Sequence, residues 1–465
     1  MKRVLMRLWA AFWFSVLAVS ASAQQPTTSN APFAPTETGA RIVYRNASLI
    51  DGSGGPMRPD MVVVTNGQRI EAVLPNAELS PEMMAGAEVV DLGGQYLLPG
   101  LIDSHQHLAT PPDRRRAEAL MRRDLYGGIT AVRIMADDLR PIAELARASL
   151  VGEIAGPDLY FAALVAGPSF FEDPRTKAIA AGAVPGEAPW MQKIDDRTNI
   201  PLAVAMARGT FATGLKIYAN LPAHLIRALT EEAHRQGLMV WAHGMVFPTP
   251  PAQVIAAGPD VVSHTCYLAY QVSEKRPQSY QDRFPVDYAR FEDGDNSVMA
   301  ALFREMRRQG IILDATLRVY AEMDERAAEN PEAPPYHCNT DLAAKLTSQA
   351  FREGVMISAG TDGMTPREAP NSALHEELEL LATRAGMPPL QVIRSATLIG
   401  AMTIGKAGEM GTVEAGKLAN LVVLERNPLD DLGNLRSVVF TVKRGRRFDR
   451  ADYRPISPEE IPDDE

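Results

Sequence analysis

His105 and His107 stand two residues apart at the end of an apolar run, Leu97-Leu98-Pro99-Gly100-Leu101-Ile102-Asp103-Ser104-His105-Gln106-His107. Side chains alternate along a strand, so a His-X-His pair places both imidazoles on one face and delivers them at the strand's C-terminal end. One strand can hold a metal ion this way, but two polar residues closing a buried strand would read the same. The difference lies in whether the chain supplies further ligands. Lys216, His243, His264 and Asp362 are the candidates, in Leu215-Lys216-Ile217-Tyr218, Val240-Trp241-Ala242-His243, Val261-Val262-Ser263-His264 and Ala359-Gly360-Thr361-Asp362.

Each candidate needs an element to position it. Besides the opening run, strands are predicted at 129–134, 159–164, 215–218, 238–243, 261–264, 311–315 and 355–360, with amphipathic helical patterns between several of them. Pro222 to Gln236 and Ser297 to Arg308 are examples, each closing near a glycine that can cap a helix C-terminus. Eight such units predict an α/β protein built on a (β/α)8 TIM barrel, which gathers its catalytic groups at the C-terminal ends of the strands. Lys216 lies within the fourth strand, His243 ends the fifth, His264 ends the sixth and Asp362 follows the eighth. His224, His234 and His375 fall on predicted helices and His337 in a loop, so these four are expected to be structural or solvated. Trp241 shares a face with His243 and is read as barrel packing. The long connections at 165–199, 265–296 and 316–339 follow strands and should stand over the site, where substrate choice lies. Arg133 and Arg318, at or just past strand ends, suit either a bidentate grip on a substrate carboxylate or rim salt bridges.

Short β-type runs with turn signals, including Asn66-Gly67, precede the barrel over 41–97, and β texture returns over 406–450. A small β-sandwich domain assembled from both chain ends is the expectation, with the barrel over 98–405 between its parts. Residues 451–465 read as an acidic tail without an apolar face. At the other end Lys2, Arg3 and Arg7 precede the uncharged run Leu8 to Val19 and Ala21-Ser22-Ala23, the pattern of a signal peptide over 1–23 cleaved near Ala23. The apolar run is short for a bilayer span, which needs about 20 residues. A Pro/Ser/Thr-rich linker follows over 24–40, and the expected location is secreted or periplasmic, without a stable membrane anchor.

The formal charge of the chain is −10. Loss of the three basic residues of the leader leaves 44 basic against 57 acidic side chains, a mature charge of −13 that excludes nucleic acid as a partner class. Cys266 and Cys338 are too few for a disulfide framework, and a single bridge between them is left open.

Leu98-Pro99-Gly100-Leu101-Ile102-Asp103-Ser104-His105-Gln106-His107 and Ala359-Gly360-Thr361-Asp362 together resemble the first- and eighth-strand motifs of the amidohydrolase superfamily. Ser395-Ala396-Thr397 and the run Gly411 to Leu424 are similar to that family's return from barrel to sheet domain, with Asn420 where the family usually has Asp. Lys216 to Pro222 and Leu374 to Leu381 resemble the imidazolonepropionase-like branch that includes metal-dependent Xaa-Pro dipeptidases, the prolidases. The resemblance implies two divalent ions, zinc first, with manganese, cobalt or iron suiting the same donors. His105, His107 and Asp362 would hold one ion, His243 and His264 the other, and an N-carboxylated Lys216 would bridge them. Lys216 is the only lysine in any predicted barrel strand.

From these parts follows an exported hydrolase that cleaves an amide or peptide bond with metal-activated water. Asp362 would serve as general base, and Tyr218, two residues beyond Lys216, would donate to the oxyanion or to a substrate carboxylate. A small molecule or a dipeptide of the Xaa-Pro type is the expected substrate, with self-association left open. The alternatives are a hydrolase of cyclic amides or other C–N bonds, and a silent binding protein on the same fold.

Overall fold

Apolar runs with no polar alternation make strands that must be covered on both faces, and the eight runs named above do so in the barrel. Residues 41–110, 112–180 and 182–462 are described by the structure, a computed structural model. The signal peptide and linker expected over 1–40 lie outside the described residues, as does the end of the tail from 463.

Eight parallel strands, Leu101–Gln106, Ile129–Ile134, Asp158–Ala166, Gly214–Ile217, Met239–His243, Val261–Ser263, Ile312–Asp314 and Ile357–Ser358, pair in sequence order. The barrel is nearly closed, and the amide of Ser104 on the first strand bridges to the carbonyl of Ala359 beside the eighth at 2.9 Å. The second strand is buried along its whole length, as a strand with helices outside and a filled barrel inside must be. Helices between the strands begin where side chains cap them. Asp113 accepts from Arg116 N, Asn296 from Val298 N and Met299 N, and Asn339 from Leu342 N, at the starts of Arg114–Tyr126, Ser297–Gln309 and Thr340–Arg352. After the last barrel strand the chain forms two short helices in succession, Pro389–Ser395 and Leu398–Thr403, in place of one continuous helix. The break comes because the Thr397 hydroxyl donates back to the carbonyl of Ile393, and the Thr397 backbone leaves helical geometry.

The opening run divides between two sheets. Tyr96–Pro99 pairs with Leu421–Leu424 in an eight-stranded mixed sheet made from both chain ends, and Leu101–Gln106 begins the barrel. Gly100 is the joint. A Cβ there would sit 2.3 Å from the Thr130 side chain, so only glycine lets the chain pass from one sheet to the other. The mixed sheet curls on itself. Tyr44 and Phe440 lie three strand steps apart, about 14 Å in a flat sheet, yet their ring centroids are 5.9 Å apart. Inside the curl Tyr44, Leu97, Leu421, Val423, Phe440 and Val442 are buried together.

Asp158, at the start of the third barrel strand, bonds Lys443 at 3.0 Å and Arg444 at 2.8 Å, both on the mixed sheet. The Lys443 ammonium also donates to the carbonyl of Ser149, at the end of the barrel helix before that strand. Asn420 accepts from the Arg444 amide at 2.8 Å, so it works in the sheet and not in the chemistry. The segment after 450 has an apolar face after all. Ile456 and Ile461 are buried against Ala119 of the first barrel helix, a pairing set by two isolated isoleucines that carry no periodic signal.

Candidate metal centre

At the barrel's C-terminal end His105, His107 and Asp362 bring one ligand atom each to within 4.8 Å of one another, close enough to hold one ion. The Asp362 carboxylate lies 3.5 Å from His105 Nε2 and 3.2 Å from His107 Nε2. The rings continue across the barrel. His105 and His264 centroids are 5.0 Å apart, His264 and His243 4.9 Å, and His243 and Tyr218 4.1 Å. Lys216 is buried among them, and its charge is one of the causes that hold the imidazoles of His105, His243 and His264 below their ordinary range, after burial as the largest. All six candidate ligands therefore converge, with Tyr218 against them. His224 and His234 pair with surface acids, His337 stacks on Tyr267 and His375 is buried elsewhere, so none of these four joins the centre.

The donor set at His105, His107 and Asp362 fits a divalent ion. Lys216 Nζ and His243 Nδ1 are buried without a hydrogen-bond partner among the described residues, and such orphaned polar atoms are costly unless something binds them. The ligands that do have partners are oriented by them. His105 Nδ1 donates to Asp314 at 2.8 Å and His107 Nδ1 to Asp137 at 2.9 Å, and His264 Nδ1 lies 3.0 Å from the Thr316 hydroxyl. The two carboxylate bonds fix the tautomer that leaves Nε2 of His105 and His107 free for a cation. Asp137 also accepts from the amides of Leu108 and Ala109, both at 2.7 Å, and so shapes the chain just past His107.

Sequence reasoning passed over Asp137, Asp314 and Thr316. The available signal was their place at or just beyond strand ends, together with the rule that a metal-binding histidine gives its second N–H to a carboxylate. Arg133 is corrected in both of its readings. It is fully buried, donates to Asp314 at 2.8 Å and lies over the Trp241 ring, so it neither meets substrate nor sits at the rim. Arg318 is buried, ion-paired to Glu376 at 2.5 Å and Glu325 at 3.2 Å, and lines the cavity that His107 and Asp362 face, so it has both the ion pairs and the place its two readings require.

Backbone and electrostatics agree with a working site. His264, Thr316 and Asp362 have φ of 71°, 53° and 46°, left-handed values that cost a side-chain-bearing residue about 1–3 kcal/mol and cluster where function demands them. Gly360 has no Cβ because one would meet Asp314 Oδ1 at 2.1 Å and His105 Cβ at 2.9 Å. The glycine of the eighth-strand motif thus lets the strand lie against the first histidine. Burial would raise the Asp362 carboxyl, but the neighbouring His105, His107 and His264 more than offset it and hold the acid well below its usual range. Burial, reinforced by the Arg133 guanidinium, draws the Lys216 ammonium down to about 7.

Residues 96–448 match the model of the Amidohydrolase family. The chain belongs to that family. This amidohydrolase is 23% identical to ochratoxinase of Aspergillus niger over 460 aligned positions, covering 89% of this chain and 87% of the relative. It is 22% identical to imidazolonepropionase of Solibacter usitatus, over 80% of this chain and 87% of the relative. A solved Xaa-Pro dipeptidase with methionine bound in its active site shares the fold, with a TM-score of 0.66 at 21% identity, covering 88% of this chain and 100% of the other. The amidohydrolase is a metal-dependent hydrolase acting on C–N bonds.

Proposed function

We propose that this amidohydrolase cleaves the amide bond of a small substrate, best a dipeptide of the Xaa-Pro type, at a two-metal centre. The observation that carries the reading is where the ligands open. His105, Lys216, His243 and His264 are buried, whereas the side chains of His107 and Asp362 are 36% and 21% exposed and face one cavity of about 590 Å³. Such a volume suits a small ligand. The relatives and the solved dipeptidase support the substrate class.

His105, His107 and Asp362 would hold one divalent ion and His243 and His264 the other, with Lys216 between them. When bound, such ions acidify water and polarise a carbonyl. The chain's own groups do the rest. Lys216 at a pKa of about 7 is in large part a neutral amine at neutral pH, the form that adds carbon dioxide. The amine nitrogen forms a new N–C bond to carbon dioxide, one C=O π pair moves to oxygen, the nitrogen gives a proton to solvent, and an anionic carbamate takes the place of the neutral amine. Asp362, ionised and beside the attacking water, takes its proton and passes it to the leaving nitrogen as the C–N bond breaks. The Tyr218 hydroxyl, 3.3 Å from that of Tyr280, is the donor to the oxyanion or to a substrate carboxylate.

The second reading, hydrolysis of cyclic amides, is favoured by the imidazolonepropionase relative. Metal-loaded protein is to be assayed on Xaa-Pro dipeptides, their N-acetylated forms and cyclic amides. The expected result is turnover of free dipeptides, with blocked ones slower; turnover of cyclic amides alone would overturn the proposal. Asp362→Asn should keep its metal and lose at least about a hundredfold in kcat, and full activity in that variant would remove Asp362 from the mechanism.

Export is proposed as well. It is supported by the basic, apolar and small-residue pattern of the first 23 residues and by a disulfide between Cys266 and Cys338, a bond that persists in oxidising compartments. No helix of the described residues is long and apolar enough to cross a membrane. N-terminal sequencing of protein from the cell exterior or periplasm checks this, with Gln24 expected first.

A further inference from the structure

The cavity that reaches His107 and Asp362 is walled on one side by Ile461 and Pro462, from a stretch that sequence reading treats as a featureless tail. This stretch is tied to both neighbouring elements. Arg122, on the first barrel helix, donates through Nη1 and Nη2 to the two carboxylate oxygens of Glu460 at 3.0 and 2.9 Å, and through Nε to the carbonyl of Arg454. Glu460 also accepts from the Ser457 amide at 3.0 Å, and the Ile461 amide donates to the Ser457 carbonyl at 3.1 Å, so the segment closes a turn around the latch. On the far side Arg367, in the loop that follows Asp362, donates to the carbonyl of Ile461 at 3.0 Å. Arg450 strengthens the same connection, reaching Tyr126 at the end of the helix and Pro370 in the loop. The segment thus crosses from the helix that follows His107 to the loop that follows Asp362, the two exposed ligands of the centre.

We infer that Tyr453–Pro462 is a strap that closes one side of the substrate cavity and sets the largest substrate that reaches the metal centre, with Ile461 as the limiting side chain. Bidentate guanidinium–carboxylate pairing fixes geometry as well as energy. Burial of Ile456 and Ile461 against Ala119 supplies the apolar half of the anchor. The strap holds a wall and does no chemistry, so losing it changes which substrates enter and leaves the ligands in place.

The inference rests on the proposed hydrolysis of a small amide only for its kinetic arm, and a second arm is independent of substrate. Metal-loaded full-length chain, Ile461→Gly, Ile461→Trp and a chain ending at Asp452 are compared. In the first arm, the ratio of kcat/KM for a tripeptide to that for the matching dipeptide is measured. It should rise about tenfold or more in Ile461→Gly and in the shortened chain, and fall in Ile461→Trp. In the second arm, the rate at which 1,10-phenanthroline withdraws metal should follow the same order, with initial metal content equal in all four. If no peptide is cleaved, the chelator arm still decides the strap while the proposed function fails. Should the shortened chain not fold, the opposed Ile461 variants carry the comparison. Equal chelation rates and unchanged substrate ratios across the Ile461 pair would overturn the strap.

Discussion

Asp314 shows how much a single carboxylate carries here. Its Oδ2 accepts from His105 Nδ1, Arg133 Nη2 and Ser263 Oγ at 2.8, 2.8 and 2.9 Å, all inside the barrel. It is a positioning residue: it aims His105 without touching substrate. Asp314→Ala should weaken metal binding about 10–100-fold, whereas Asp314→Asn, whose amide oxygen still accepts from His105, should recover much of it. Competition with a metallochromic indicator measures both, and equal affinities in the two variants would mean that Asp314 only fills space. That the candidate ligands lie near one another was legible because strand alternation and strand ends constrain their places before any contact is known. Asp314 and Asp137 were not, since a carboxylate at a strand end reads the same whether it meets a metal, an imidazole or water. Arg133 misled for a related reason: its position at a strand end says nothing of whether the side chain turns inward to an acid.

Among the elements, all eight barrel strands were legible in place, those after the first to within about two residues at each end, because doubly buried parallel strands leave uninterrupted apolar runs. The split at Gly100 was not, since a run that serves two sheets has no break in hydrophobicity. Nor was the strap, whose docking depends on Arg122 reaching Glu460 across more than three hundred positions of sequence. The union of barrel and mixed sheet makes its own prediction. Burial alone would raise the Asp158 carboxyl, but Lys443 and Arg444 more than offset it and lower it below the usual range. A group lowered in the folded state contributes stability in full above its unfolded value, about 3.9, and that contribution fades as pH falls toward the folded one. Asp158→Ala should therefore cost about 3–5 kcal/mol at pH 7 by leaving Lys443 buried and unpaired. The loss should shrink in urea unfolding carried out below about pH 4. A loss that does not change with pH would assign the effect to packing.

At the scale of the molecule, the sheet at the chain ends, the barrel and the loops above it leave a centre whose exposed members, His107 and Asp362, face one cavity. Cys266 follows the candidate ligand His264 by two residues, and its bridge to Cys338 ties the loop after the sixth strand to the loop after the seventh. Cys338→Ser with Cys266→Ser should lower unfolding free energy by about 2–4 kcal/mol in denaturant titrations, and no difference from wild type would show that the bridge is idle. The central claim remains the two-metal centre joined through Lys216. Anomalous diffraction at the edge of the bound metal, on crystals grown in bicarbonate, tests it most directly. The account predicts two peaks about 3.5–4 Å apart, with a carboxylated Lys216 between them. A single peak at His105, His107 and Asp362 beside an unmodified Lys216 would contradict it.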